Sequence, residues 1–320
     1  MLVREGGSAT VLLSGSKHLP PRRQTIQAVK GRRVSAANLI DWTEWRRDSI
    51  ERTLPQFPPA EPNKPNVEHG TLIIIGGGGM PSGLMDKFIE LAGGKSAELV
   101  YVPCSERDEI GGTPGILKYW QEKGVQQADF IHTKDRQKAN TDASFYKPLE
   151  SATGIMFGGG RQWNFSDSYY GTRTHELMKD VLKRGGVVMG SSAGASIQAR
   201  YLARATPIGN TSIMAPGYER GGLGFISGVA IDQHFSQRKR QADMTTLVNK
   251  YPQLLGIGID ERTAIIVKRS RAEVVGSGRV FFYDRNQPVV DGQPDYVALP
   301  AGSIYDLATR TVLKDKRNKD

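Results

Sequence analysis

Val187–Ser196 reads VVMGSSAGAS, and the fold turns on how that stretch is read. Three apolar residues, Val187, Val188 and Met189, run into Gly190, Ser191, Ser192, Ala193 and Gly194, and small residues lead on through Ile197 to Arg200. The apolar run predicts a buried strand, and the small residues after it predict the opening of a helix. A glycine two positions to either side of Ser192 lets the backbone turn tightly, the pattern of a nucleophile elbow whose central hydroxyl projects at the carboxyl edge of a sheet. The amide of Ala193, at the helix start, would then form half of an oxyanion hole. The motif is not decisive alone, because a tight strand-to-helix turn needs small residues whether or not it performs chemistry.

Two later stretches supply partners. In GVAIDQHFSQRKR (residues 228–240) a short apolar run delivers Asp232, Gln233 and His234 to a strand end. In LLGIGIDERTAIIV (residues 254–267) a second run delivers Asp260 and Glu261. Serine, imidazole and carboxylate thus each leave the carboxyl end of a predicted strand, where an open α/β sheet keeps its active site. Asp260 and Glu261 compete for the third role.

GSSAGAS, DQHF with arginines following, GIGIDE-x-TA and FGGG-x-Q together resemble the cyanophycinase and peptidase E family of serine peptidases, over roughly Gly70 to Tyr283. The resemblance implies an α/β fold like the class I glutamine amidotransferase domain. That is a mostly parallel sheet with helices on both faces, here with an antiparallel β finish and an N-terminal extension. It implies Ser192 as nucleophile, His234 as general base and Glu261 as its orienting carboxylate. Gly159 and Gly160 would join Ala193 in the oxyanion hole. Gln162, Asp232, Gln233, Arg238 and Arg240 would contact substrate, the arginines gripping a carboxylate as a guanidinium fork does. The implied substrate is an aspartyl or β-aspartyl peptide, or cyanophycin, and an aspartyl dipeptidase is the nearest alternative. Two positions depart from the pattern: Arg161 replaces an acidic or amide residue, and Asp243 replaces a further arginine that cyanophycinases use. Members often pair, which implies a homodimer.

Composition bounds the rest. The chain has 320 residues, one cysteine and a formal net charge of +10. No apolar run reaches the ~18 residues of a membrane span, so no membrane partner is expected. The basic excess is split between the region before Pro65 and the tail, without interleaved aromatics, so no nucleic-acid partner is inferred. The lone Cys104 excludes an internal disulfide and reads as a small buried thiol, and no targeting segment is evident. A cytoplasmic chain is expected, or a secreted one should its natural start lie upstream. His18, His69, His132 and His175 lie in no ligand pattern; no metal or cofactor is expected.

Residues 1–66 read as a basic extension ending in a Pro-rich linker, 67–310 as the peptidase domain, and 311–320 as a charged, disordered tail. TLIIIGGGG (residues 71–79) predicts a buried strand leaving into glycines. Pro81 occupies the place of a dinucleotide fingerprint's third glycine, which speaks against that reading. Helices are predicted over 84–92, 113–123, 175–184 and 236–251, the last with Arg238 and Arg240 in its first turns. Arg200 to Gly222 is polar and punctuated by Gly and Pro, and is expected to cover the cleft. Trp163 and Phe165 read either as pocket walls or as core. An α/β-hydrolase esterase shares G-x-S-x-G but places its acid before its histidine. A non-catalytic binding module on the same fold is the other alternative.

Overall fold

The computed structural model describes residues 8–12, 23–27, 42–205 and 212–317. It divides into two units, Met1–Pro55 and Gln56–Asp320. In the first, β1 (Ser8–Leu12) and β2 (Arg23–Gln27) pair antiparallel, and α1 spans Trp42–Glu51.

The second unit holds the remaining elements. In chain order they are β3 (Val67–Ile75), α2 (Leu84–Leu91), β4 (Glu98–Val102), α3 (Gly115–Glu122) and β5 (Gln127–Phe130). Three short helices follow, α4 (Arg136–Thr141), α5 (Ala143–Tyr146) and α6 (Pro148–Ser151), then β6 (Gly154–Phe157), α7 (Trp163–Tyr169), α8 (Arg173–Lys183) and β7 (Val187–Ser191). Next come α9 (Ala193–Ser196), β8 (Ala199–Tyr201), β9 (Ile226–Gln233), α10 (Gln241–Lys250) and β10 (Leu255–Ile259). The chain continues through β11 (Thr263–Arg269), β12 (Arg271–Gly276), β13 (Arg279–Tyr283), β14 (Val297–Pro300), β15 (Ile304–Asp306) and β16 (Thr311–Lys314).

The strands make two sheets. The larger runs β16-β15-β12-β11-β3-β7-β6-β4-β5, parallel from β3 to β5 and antiparallel on the other side. The smaller runs β14-β13-β10-β9-β8, parallel among β8, β9 and β10. A strand's side chains alternate between faces, and a parallel sheet buries both. Accordingly Ile73 and Ile75 pack with Phe88 of α2 and Trp120 of α3, whereas Leu72 and Ile74 belong to the core shared with α7, α8 and the inner face of the second sheet. That inner face contributes Ile231, Ile257 and Phe282; Phe281 and Tyr283 on its outer face meet Met244 and Leu247 of α10. The order of layers is helices, sheet, helices with second sheet, helix.

Four expectations are corrected. The helix after the elbow lasts one turn, because Ala199–Tyr201 instead joins β9 as an edge strand and is held there by ladder hydrogen bonds and burial. The helix foreseen over 236–251 is broken. Ser236–Arg238 is a single 3₁₀ turn, Lys239 is left-handed at φ 53°, and α10 begins only at Gln241. The Pro-rich stretch is no free linker beyond Pro55, since Phe57 stacks on Tyr201 with ring centroids 6.0 Å apart and Gly228, within β9, packs against Asn63 and Pro65. Thr311–Lys314, assigned to the tail, pairs antiparallel with β15.

Candidate functional site

Ser192 stands between β7 and α9. Its φ of 57° and ψ of −112° fall outside the common regions for a residue with a side chain, while its N–H donates to Ile75 O at 3.0 Å. Such conformations cost on the order of 1–3 kcal/mol and persist where the surroundings fix them. The flanking glycines therefore serve a different end from the one the sequence suggested. Neither takes a positive φ; each permits a close approach. A Cβ on Gly190 would strike Gly194 O and the Gln198 amide, and one on Gly194 would strike Phe157 O. The elbow is folded onto its own strand and onto β6.

His234 follows β9 on the second sheet. Its backbone N–H donates to Gly76 O at 2.7 Å, and its ring reaches Ser192 with Nε2 2.9 Å from Oγ. The other nitrogen, Nδ1, lies 2.6 Å from Glu261 Oε1, beyond the end of β10. Asp260 points away. It accepts from the N–H and Oγ of Ser236 and from the N–H of Arg279 at 3.1 Å, so Glu261 alone of the two acids meets the ring. Burial holds the imidazole below its ordinary pKa, the Glu261 hydrogen bond opposing and the Arg238 charge adding to the fall. A neutral ring keeps Nε2 free to accept a proton.

The glycines after β3 seat this arrangement. Gly77 (φ 95°) faces the imidazole so closely that a Cβ would lie 2.6 Å from Nε2, and a Cβ on Gly78 (φ 66°) would lie 2.5 Å from the Glu261 Cβ. Gly76 N–H donates to Thr263 O at 2.9 Å and Gly77 O accepts from Arg262 N–H at 2.8 Å. The loop is laced to the strand ends that carry both His234 and Glu261.

On the opposite side of Ser192, Gly158 N–H is taken by Val102 O at 3.0 Å, which extends the sheet ladder. Gly159 is exposed, and a Cβ there would sit 3.5 Å from the Ser192 Cβ. Gly160, φ 149°, packs instead on Cys104. The Ala193 N–H is the first of α9, where no intrahelical acceptor exists. The Cys104 thiol donates to Arg161 O at 3.0 Å, and burial pushes its pKa up to about 12.

The five residues expected to touch substrate divide sharply. Gln162 is 3% exposed and turned inward, its Nε2 donating to Ala203 O at 2.9 Å and Arg204 O at 2.8 Å. Asp232 is fully buried and accepts from Arg204 Nε at 2.8 Å, from Arg240 Nη1 at 2.8 Å and from Gln233 N–H at 3.0 Å. Arg240 also donates to Gln233 O, so Gln233 and Arg240 brace each other. Arg238 is exposed, and among the described residues no carboxylate lies within ion-pair distance of it or of Arg161. Arg161 rests over Trp163, 5.6 Å from the ring centroid, while Phe165 is core against Phe157.

Arg204 is the participant the sequence did not suggest. It lies in the polar segment expected to cover the cleft, yet it is 4% exposed and joins Asp232 to Asp243, its Nη2 2.5 Å from the latter. The described flanks of that segment, Leu202 to Ala205 and Ile213, are buried; residues 206–211 lie outside the described residues, as does His18. His175 is structural, its Nδ1 accepting from Gly171 N–H and its Nε2 donating to Leu223 O at 2.7 Å. Among the described residues no helix is long and apolar enough to cross a membrane.

The chain is similar to the cyanophycinase of Geminocystis herdmanii (strain PCC 6308), 29% identical over 212 residues that cover 66% of this chain and 75% of that protein. It is also similar to the cyanophycinase of Trichormus variabilis (strain ATCC 29413 / PCC 7937), 25% identical with 80% and 88% covered. The crystal structure of a peptidase from an acI-B1 Actinobacterium shares the fold, with a TM-score of 0.54 at 20% identity over 74% of this chain and 97% of that one. A sequence model of peptidase family S51 matches residues 72–275, and the chain belongs to that family of serine-type peptidases.

Proposed function

We propose that this peptidase hydrolyses acid-bearing peptides, aspartyl or β-aspartyl in type or cyanophycin itself, through a Ser192–His234–Glu261 triad and an acyl-enzyme. The hydrogen-bonded chain from Ser192 Oγ through the imidazole to Glu261, 2.9 Å and then 2.6 Å, is the observation that carries the reading. His234 Nε2 takes the Ser192 proton as Oγ attacks the peptide carbonyl. Glu261 stabilises the imidazolium, and the amides of Ala193 and Gly159 receive the oxyanion. The ring returns its proton to the leaving amine as the C–N bond breaks. Water, deprotonated by the same nitrogen, then releases the acyl group and restores Ser192.

Of the cations near the site, Arg204 and Arg240 are neutralised by Asp232 and Asp243, and of the two without a carboxylate among the described residues, Arg161 rests over Trp163 and Arg238 is assigned to the substrate carboxylate. Gln162, Asp232, Gln233 and Arg240 then shape the site from behind rather than touching substrate. An aspartyl dipeptidase specificity is favoured by the loss of an arginine at Asp243. The expected homodimer is checked by sedimentation.

The test is mass-spectrometric product analysis after incubation with cyanophycin and with a panel of α- and β-aspartyl peptides. Wild type is expected to release products from at least one of these, Ser192→Ala from none. Equal activity in the alanine variant removes Ser192 from the mechanism, and cleavage of neutral peptides alone removes the carboxylate from the substrate class.

A further inference from the structure

The serine and its neighbouring oxyanion glycine stand on the larger sheet, whereas His234 and Glu261 stand on the smaller one. Catalytic groups must be held within roughly 0.5 Å of their working positions, so something has to fix the two sheets' carboxyl ends against each other. The Gly76–Gly78 loop does this beside the imidazole. A second tie lies on the far side, and Arg204 is its centre.

Arg204 is reached from both sheets. From the larger one, Gln162, just beyond the oxyanion glycines, donates its side-chain amide to the carbonyls of Ala203 and Arg204. From the smaller one, Asp232, two residues before His234, receives Arg204 Nε on both oxygens at 3.0 and 2.8 Å. Asp243 at the start of α10 takes Nη2, and Arg240 completes the group by donating to Asp232. The backbone of Arg204 is left-handed at φ 53°, its N–H held by Ile213 O at 3.0 Å. A non-glycine residue persists in that region when its surroundings over-determine it. Here those surroundings are two carboxylates and an amide belonging to both halves of the site. At 4% exposure the guanidinium is withdrawn from substrate.

We propose that Arg204 is a positioning residue: it locks the oxyanion strand, through Gln162, to the strand that carries the base, through Asp232. The proposal rests on the Ser192–His234–Glu261 reading. Its signature is a turnover effect without a binding effect, because Arg238, the cation assigned to substrate, lies outside the lock.

Arg204→Gln tests it without stranding a buried charge, since Asp232 keeps Arg240 and the Asp243 side chain is 48% exposed. Two readouts are used on folded protein: kcat and KM on an acidic peptide that wild type cleaves, and the rate at which a fluorophosphonate labels Ser192. A displacement of about 1 Å costs on the order of 100-fold, so kcat and the labelling rate are expected to fall together by ~10- to ~100-fold with KM within ~3-fold of wild type. Arg204→Lys, which keeps the charge and loses the fork, is expected ~3- to ~10-fold below wild type. It carries the same test should the glutamine variant fail to fold. A folded variant with wild-type kcat overturns the proposal, and so does a raised KM at unchanged kcat, which would put Arg204 on substrate. Wild-type protein that neither labels nor cleaves overturns the triad reading, and the lock with it.

Discussion

Replacing Glu261 by glutamine separates the third member of the proposed triad from its neighbour in sequence. Glu261 Oε1 lies 2.6 Å from His234 Nδ1, and its side chain is 31% exposed. Charge centres joined by such a bond lie about 4 Å apart, where unit charges attract by ~1 kcal/mol in water and ~4 kcal/mol at an effective dielectric of ~20. A carboxylate one-third open to solvent falls between those limits. Since each ~1.4 kcal/mol is tenfold in rate, the loss of imidazolium stabilisation alone predicts a fall in kcat between ~5- and ~1000-fold. The amide adds to it by no longer fixing the tautomer with the proton on Nδ1, so the upper decade, ~100- to ~1000-fold, is expected.

Asp260→Asn is the control. Asp260 is 5% exposed and holds Ser236 and Arg279 rather than the imidazole. Weakening those bonds is expected to cost ~1–3 kcal/mol of stability and to leave kcat per folded molecule within ~3-fold. The assay is kcat on a cleaved acidic peptide, with the folded fraction taken from a urea titration of each variant. Glu261→Gln with kcat within about twofold of wild type, or Asp260→Asn with an equal loss, refutes the assignment.

Gly77→Ala sets a methyl against the His234 ring at a φ of 95°, so kcat is expected to drop at least ~100-fold, with a stability loss of ~1–3 kcal/mol; an alanine variant with wild-type kcat argues against the seating role. His175 is 7% exposed, and burial brings its pKa down to about 4. Unfolded chains protonate it near ~6.5. Below that pH the unfolded state binds the extra proton, so the stabilisation is complete above ~6.5 and is lost as pH falls toward the folded value, by roughly 3 kcal/mol. Urea midpoints against pH should show that limb in wild type and a flatter one in His175→Gln. Cys104, its thiol pushed up to about 12, should resist iodoacetamide at pH 8 in the folded protein and react once unfolded, as intact-mass measurement shows; rapid native labelling contradicts the burial argument.

The elbow and the strand ends that carry Ser192, His234 and Glu261 were legible because each is local. An apolar run followed by small residues or by Asp-Gln-His states its own strand and its own terminus. Helix spacing likewise placed α2, α3 and α8 within a few residues. What misled was local as well. Ala199–Tyr201 continues a helical composition, and its strand character comes only from β9 beside it. Thr311–Lys314 heads the charged tail and is mostly exposed, and its pairing with β15 makes it a strand. Lys239 carries no mark of the left-handed turn that separates Arg238 from α10.

The arginines show the same limit in chemical form. Sequence places Arg238 and Arg240 side by side as equivalent carboxylate ligands, but the two face different things. Arg240 turns inward to Asp232, which Arg204 reaches from a segment 28 positions earlier, while Arg238 keeps its charge at the surface. No spacing rule links 204 to 232 and 243, because that link exists only where β8 lies beside β9 and α10 packs on their sheet. The same is true of the proposed reaction. Ser192 answers to β7 and the packing of Phe157, and His234 answers to β9 and the packing of Ile231 and Ile257. The 2.9 Å between them is therefore a property of the core between the sheets. A cavity opened at Ile231 or Ile257, core residues three positions before His234 and four before Glu261, should reach the site as a loss of kcat before it is felt as unfolding.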